Sequence, residues 1–355
     1  MTVTRPQQRV SRSRRLQGVP SRRRQRGVAL LVAILLVALG TILAATMAYD
    51  NAMTARRAVA TFAFDQALLV SEGAESLAAY GLQQQKKQNL TYTAPDQAWA
   101  QPLPPTEVVP GVTLEAHLED LQGRFNINDL VGMDGETPNT VAIQAFQRLL
   151  TNLDMDPKWA NYIVDWIDKN TTPMFPDGAE DSVYMEMSPP YRTPNLPITS
   201  ISELLALPGF TRADYDKLAP HIVALPPGVQ INTCSADPWV LDALQGHQQW
   251  SVDPAQFEKD REAEGGCFPT PAMVTQAASD VKGGNGAGNL GGNSGNNGNG
   301  GGTPPTLGSL LTEQSAWFRL TSFVDVGSTE FAVYTTLYED STGMARPMMR
   351  SFTPD

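Results

Sequence analysis

The chain has 355 residues, 41% of them hydrophobic, enough for two folded units with real cores and unlike a disordered or collagen-like polymer. Its net charge is −11, yet its first nine charged residues are all arginines (Arg5, Arg9, Arg12, Arg14, Arg15, Arg22, Arg23, Arg24 and Arg26), so the body beyond them is nine charges more acidic than the total. An acidic body argues against nucleic acid as a partner, because phosphate neutralisation by Lys and Arg supplies most of that affinity.

Residues 28–49 contain no charged side chain. As a helix this stretch is long enough for a hydrocarbon core, which takes about 20 residues. The arginine-rich flank predicts a cytoplasmic N-terminus and an exported body. A cleaved secretory signal should end in a small-x-small site, and Thr46-Met47-Ala48-Tyr49 is a poor one. Residues 50–88 hold few helix breakers, and Val59, Phe62, Ala63, Leu68, Leu69 and Leu77 recur at helical spacing. The pattern predicts one long helix, half in lipid and half packed on a domain.

After Trp99 and a cluster of prolines, apolar and polar residues alternate from Val112, which predicts a strand over 112–125. Over 140–169 the pattern turns helical, with Phe146, Leu149, Leu150, Ile163 and Trp166 as core candidates. Residues 200–224 and 237–245 read as further short helices. Residues 283–302 are almost wholly Gly and Asn, which cannot bury apolar surface and predict a flexible linker. Residues 316–326 and 329–338 read as two strands turning at Gly327-Ser328, with a last edge strand near 346–352. The class is α+β: a long N-terminal helix packed on an antiparallel sheet, with a large, mainly helical insert. The two cysteines, Cys234 and Cys267, lie far beyond the apolar segment, so an exported body allows a disulfide between them; two buried free thiols are the alternative.

Several stretches resemble one family. Arg26-Gly27-Val28-Ala29-Leu30-Leu31 looks like a type IV prepilin leader running into its apolar helix. Gly123-Arg-Phe-Asn-Ile-Asn128, Asp165-Trp-Ile-Asp168 with Asp177-Gly-Ala-Glu180-Asp181 and Tyr184, the stretch Ser200 to Phe210, and Ile231-Asn232-Thr233 follow in order. Together they resemble the general secretion pathway protein K family, the K-type minor pseudopilins of type II secretion systems. The resemblance implies a pilin-like fold, cleavage between Gly27 and Val28, and methylation of the new N-terminus. Most pilins carry Glu at the fifth mature position; here it is Val32, as the K type implies. A buried carboxylate in lipid needs a partner, and a subunit at a filament tip has no predecessor to supply one.

The resemblance divides the chain into a cytoplasmic leader (1–27), the transmembrane half of the helix (28–49) and the first part of a pilin domain (50–127). A helical insert (128–245), a return segment (246–282), the linker (283–302) and C-terminal pilin strands (303–355) follow. It implies I- and J-type minor pseudopilins as partners, contact with the inner membrane and the secretion platform, a periplasmic body, and a tip position from which assembly starts and folded proteins are exported.

The resemblance also implies calcium in the helical part, with Asp168, Asn170, Glu180, Asp181 and, further, Asp177 as ligands. The chemistry is sound by itself, since calcium takes several carboxylate and carbonyl oxygens, although the spacing is not that of an EF-hand. A solvated acidic loop that caps helices is the plain alternative. Leu207-Pro208-Gly209-Phe210 resembles the hairpin of a helix-hairpin-helix module. Its surroundings, Glu203, Asp214 and Asp216 against Arg212 and Lys217, suit a structural role better than phosphate binding. No nucleophile, zinc or phosphate-loop motif occurs, and His117, His221 and His247 are scattered, so an enzyme is not expected. Two other functions compete: a minor pilin of a true type IV pilus, and an unprocessed, permanently anchored calcium-binding protein.

Overall fold

The computed structural model describes residues 26–88, 90–246, 248–280 and 306–354. The basic leader up to residue 25, His247 and the Gly/Asn linker lie outside the described residues. The chain divides into two compact units, Met1–Phe62 and Ala63–Asp355.

The first helix, α1, spans Arg26–Lys87. Within the first unit its large apolar side chains between Val28 and Tyr49 are all more than half exposed. Among the described residues it is the one helix long and apolar enough to cross a membrane.

In the second unit, α1 is followed by strands β1 (Leu103–Val109) and β2 (Val112–Asp120). A short β3 (Phe125–Asn126) leads into the helices α2 (Thr140–Asn152), α3 (Trp159–Ile167), α4 (Asp181–Tyr184) and α5 (Arg212–Leu218). Next come β4 (Ile222–Val223), β5 (Ile231–Asn232), α6 (Pro238–Gln245), α7 (Pro254–Glu264) and α8 (Pro271–Asp280). The chain closes with β6 (Leu311–Thr312), β7 (Trp317–Val326), β8 (Thr329–Glu339) and β9 (Ala345–Ser351).

Five strands form one sheet in the order β1-β2-β7-β8-β9, antiparallel throughout. The β2 alternation seen in sequence buries Val112, Leu114, Ala116 and Leu118 on one face. Gly327, at φ +64°, makes the tight turn from β7 to β8. Against that face lie Ala67, Ala74 and Leu82 of α1, in a core with Phe318, Leu320 and Leu337. Within this unit the helical stripe expected to pack is instead exposed at Leu69 and Leu77, 68% and 56% accessible. Helical periodicity finds a stripe without saying which of two stripes meets the sheet; here the alanines do, because small side chains let the helix sit close.

Other expectations are corrected by the tertiary pairing. The strand expected over 112–125 leaves the sheet at Asp120; Leu121–Gly123 form a 3-10 turn and β3 pairs with β4, parallel, elsewhere. The prolines before Val112 hide strand β1, which carries Pro104 and Pro105 at the sheet edge, where a missing N–H is tolerated. The helix expected over 140–169 is broken into α2 and α3 around Pro157. The helical body also overruns its expected limits of 128–245. Its core takes in Phe125 and Ile127 before them, and Phe257, Phe268, Val274, Leu307, Leu310 and Leu311 after them. The return segment is thus two further helices of that body.

The polar residues of the Gln122 to Asn128 stretch have structural work. Asn128 Nδ2 donates to the Ile198 and Leu225 carbonyls at 2.9 and 2.8 Å, and its Oδ1 accepts from the Ile198 N–H at 2.8 Å. Asn126 donates to the Pro226 carbonyl at 3.0 Å and accepts from the Leu225 N–H at 3.1 Å. Loops without sheet partners are held by side-chain amides instead.

Candidate functional site

The acidic cluster stands where α3 ends and α4 begins. α3 stops at Asp168, whose backbone is extended (φ −71°, ψ 159°). Asn170 Oδ1 accepts from the Thr172 N–H at 2.8 Å, an Asx turn that leads the chain away from the helix. The loop then folds back under Asp165, whose carboxylate accepts from the Met174 N–H at 3.0 Å and the Ala179 N–H at 2.7 Å. A Cβ on Gly178 would lie 2.3 Å from Asp165 Oδ2 and 2.3 Å from the Met174 nitrogen, so the close return requires glycine there.

The loop brings Glu180 to the buried end of α3. Asp165 and Asp168 have no solvent exposure and Glu180 has 4%. Burial is the first cause that pushes Asp165 and Asp168 up to about 6 and Glu180 up to about 7, and the negative charges of Asp165 and Asp168 add to the effect on Glu180. Asp168 Oδ2 accepts from Asn170 Nδ2 at 2.7 Å, and Glu180 Oε2 accepts from the Thr193 hydroxyl at 3.4 Å. The other oxygen of each, Asp168 Oδ1 and Glu180 Oε1, is buried without a hydrogen-bond partner, as is the Tyr184 hydroxyl. Tyr184 packs between Trp166 and Tyr191, with ring centroids 5.3 and 5.4 Å away.

The five residues singled out in sequence therefore fall into different places. Asp168 and Glu180 are buried with unused oxygens. Asn170 is half-buried and turns its amide nitrogen to Asp168 while its oxygen serves the Asx turn. Asp181 is half-buried, bonded to Thr193 and 3.5 Å from Arg192. Asp177 is exposed on the loop. Among the described residues no three Asp, Glu, His or Cys side chains form a metal-holding group. Sequence reasoning placed Asp165 in the acidic motif but gave it no role, whereas it organises the loop; it missed Thr193, which carries no local signal because it arrives from beyond α4. The unsatisfied buried oxygens of Asp168 and Glu180 are of the hard type that a cation such as calcium would take, so these two are the side chains that could hold one.

Cys234 and Cys267 are joined as a disulfide, with their Cα atoms 4.5 Å apart. Beside it, the buried Arg261 donates to the Phe268 and Ala236 carbonyls at 3.0 Å each. The helix-hairpin-helix-like stretch forms a 3-10 turn (Ile201–Ala206) and α5, and Glu203 and Asp214 both close capping boxes. Gly27 and Val28 lie at the start of α1, and Val32 lies on it, 51% exposed.

A family described as type II secretion system (T2SS), protein K, matches residues 123–227. A type II secretion system protein K from Pseudomonas aeruginosa is 33% identical over 253 residues, covering 69% of this chain and 74% of that protein. One from Klebsiella pneumoniae is 35% identical over 252 residues, covering 68% of this chain and 77% of that protein. One from Aeromonas hydrophila is 29% identical but covers 88% of this chain and 92% of that protein. Among solved structures, a chain of the GspK-GspI-GspJ complex from the enterotoxigenic Escherichia coli type 2 secretion system has the same fold. Its TM-score is 0.62 at 22% identity, covering 84% of this chain and all of that chain.

Proposed function

This chain belongs to the type II secretion system protein K family, the K-type minor pseudopilins, and we propose that it sits at the tip of the pseudopilus, starts its assembly and supports export of folded proteins. The observation that carries the proposal is α1: a charge-free apolar segment whose large side chains are more than half exposed, continuing in the same helix into residues that pack beneath an antiparallel sheet. Such a helix anchors the subunit in a bilayer before assembly and offers apolar surface to neighbouring helices after it. The arginine-rich leader orients it with the body outside the inner membrane, in the periplasm. Within the second unit Leu69, Leu77 and Tyr80 of α1 are also exposed and offer further apolar surface to a neighbouring subunit. The role is mechanical and interfacial, and no chemistry on a substrate is assigned to it.

Partners follow from the likeness to the solved complex: I- and J-type minor pseudopilins. Peptidase cleavage between Gly27 and Val28 releases an N-terminus that is then methylated. The test is the full chain produced with the rest of its secretion system. The mature protein should begin at Val28 and co-purify with I- and J-type subunits, and its deletion should reduce pseudopili and stop secretion. A mature protein that begins at Met1, or normal secretion after deletion, overturns the proposal.

Calcium at Asp168 and Glu180 is part of the proposal. The ion would neutralise the two carboxylates and hold the loop 169–180 in place. Calcium titration should raise the unfolding free energy of the full chain by about 2.7 kcal/mol at a hundredfold excess over Kd, read as a shift of the midpoint. Asp168→Ala should abolish that gain, and an equal gain in the variant would refute the assignment.

A further inference from the structure

The helical body joins the sheet through two crossings: the chain leaves β2 at Asp120 and re-enters β7 at Trp317. Bodies joined in this way ordinarily move against each other unless the interface between them is large and apolar, and here the apolar part is small, Leu121, Val223 and Leu225 with Trp317 packed on them. What pins the crossings is a buried polar cluster. Asp120 is 8% exposed, and its carboxylate accepts from the Gln122 N–H at 2.8 Å, Ser315 Oγ at 2.6 Å, Asn232 Nδ2 at 3.0 Å and Ser235 Oγ. Asn232 Nδ2 also lies 2.7 Å from the Thr93 carbonyl in the segment after α1. Its Oδ1 accepts from the Cys234 N–H at 3.0 Å. Gln122 Oε1 accepts from the Ala316 and Trp317 N–H groups at 2.6 and 3.2 Å, and its Nε2 donates to the Gln230 carbonyl at 2.8 Å. Gly123 lets the body approach this closely, since a Cβ there would lie 2.4 Å from the Ser235 carbonyl oxygen.

We propose that Asp120, Gln122 and Asn232 are a lock that converts the two crossings from a hinge into a rigid joint, so that helical body and sheet move as one. Each of the three side chains bonds to segments from both crossings or from the body, and none is spent on solvent. Four donors offset much of the cost of burying the Asp120 carboxyl, and a hinge opening would strip those donors from it. The lock needs no metal and no partner.

The test is a distance distribution between spin labels on ketone-bearing residues placed at exposed Glu115 in β2 and exposed Gln144 in α2. It uses the full chain in detergent with its cysteines untouched. The parent should give one narrow peak. Asn232→Ala should lose the narrow peak while amide protection in α2 and β7 persists. Gln122→Met, close in shape and without hydrogen bonds, should do the same and decides the matter if Asn232→Ala fails to fold. A broad distribution in the parent, or a narrow one in the folded variants, overturns the lock.

Discussion

Asp129 shows how one buried side chain sets a pH response. It is 8% exposed, accepts from the Gly228 N–H at 2.6 Å, and burial pushes its carboxyl up to about 7. The unfolded chain ionises this group near the ordinary aspartate value of 3.8, so between there and about 7 the folded state holds a proton that the unfolded state has lost. Stability contributed by Asp129 is therefore present at low pH, falls as pH rises through that window, and is flat above it. Asp129→Asn should make this part of the profile shallower, the remaining slope coming from Asp165, Asp168 and Glu180, read as urea midpoints from pH 4 to pH 8; an unchanged slope would show that Asp129 does not contribute. At the acidic cluster a proton or a cation can relieve the same burial penalty, and the unpartnered oxygens of Asp168 and Glu180 mark where a cation would do so.

Elements are joined by a few side chains of high consequence. β9 is an edge strand tied to α1 by Arg350, whose Nε and Nη2 each lie 2.7 Å from an oxygen of Glu75, with Glu72 3.3 Å from Nη1. Thr335 adds a hydroxyl donor to Glu75 at 2.9 Å, so the glutamate is fully served in a position where its side chain is only 6% exposed. Arg350→Ala leaves that carboxylate without its counter-ion. The expected cost is about 1–3 kcal/mol, below the roughly 3–5 kcal/mol of fully buried pairs because solvent reaches the guanidinium. Loss of amide protection confined to β9 and the stretch of α1 around Glu72 and Glu75 would be the matching signature in hydrogen exchange. An unaltered midpoint would mean that apolar packing alone holds the strand.

At the scale of the molecule, the second unit has one core in the helical body and another between α1 and the sheet. The disulfide closes a 33-residue separation that contains α6 and α7, which in the chain-entropy model is worth roughly 3–4 kcal/mol. The Cys234→Ser, Cys267→Ser double variant should lose stability of that order in the helical body and free α7 and α8 first; a body equally resistant to proteolysis would show the link to be dispensable. Much of this organisation was legible in the sequence, because charge runs, a charge-free apolar stretch and periods of 2 and 3.6 are local properties of a chain. The long apolar N-terminal helix, β2, β7 and β8, the core of α2 and α3, and the acidic stretch at Asp165 to Asp181 all announce themselves in that way. Tertiary structure alone decided which stripe of α1 meets the sheet, that Pro104 and Pro105 sit in an edge strand, and that the helical body runs on through Leu311. It alone placed Asp177 outside the acidic pocket and made Asp120, Gln122 and Asn232 one cluster. Those outcomes depend on which residues far apart in the chain supply each other's hydrogen bonds and fill each other's space, and no local pattern encodes a partner about 200 positions away.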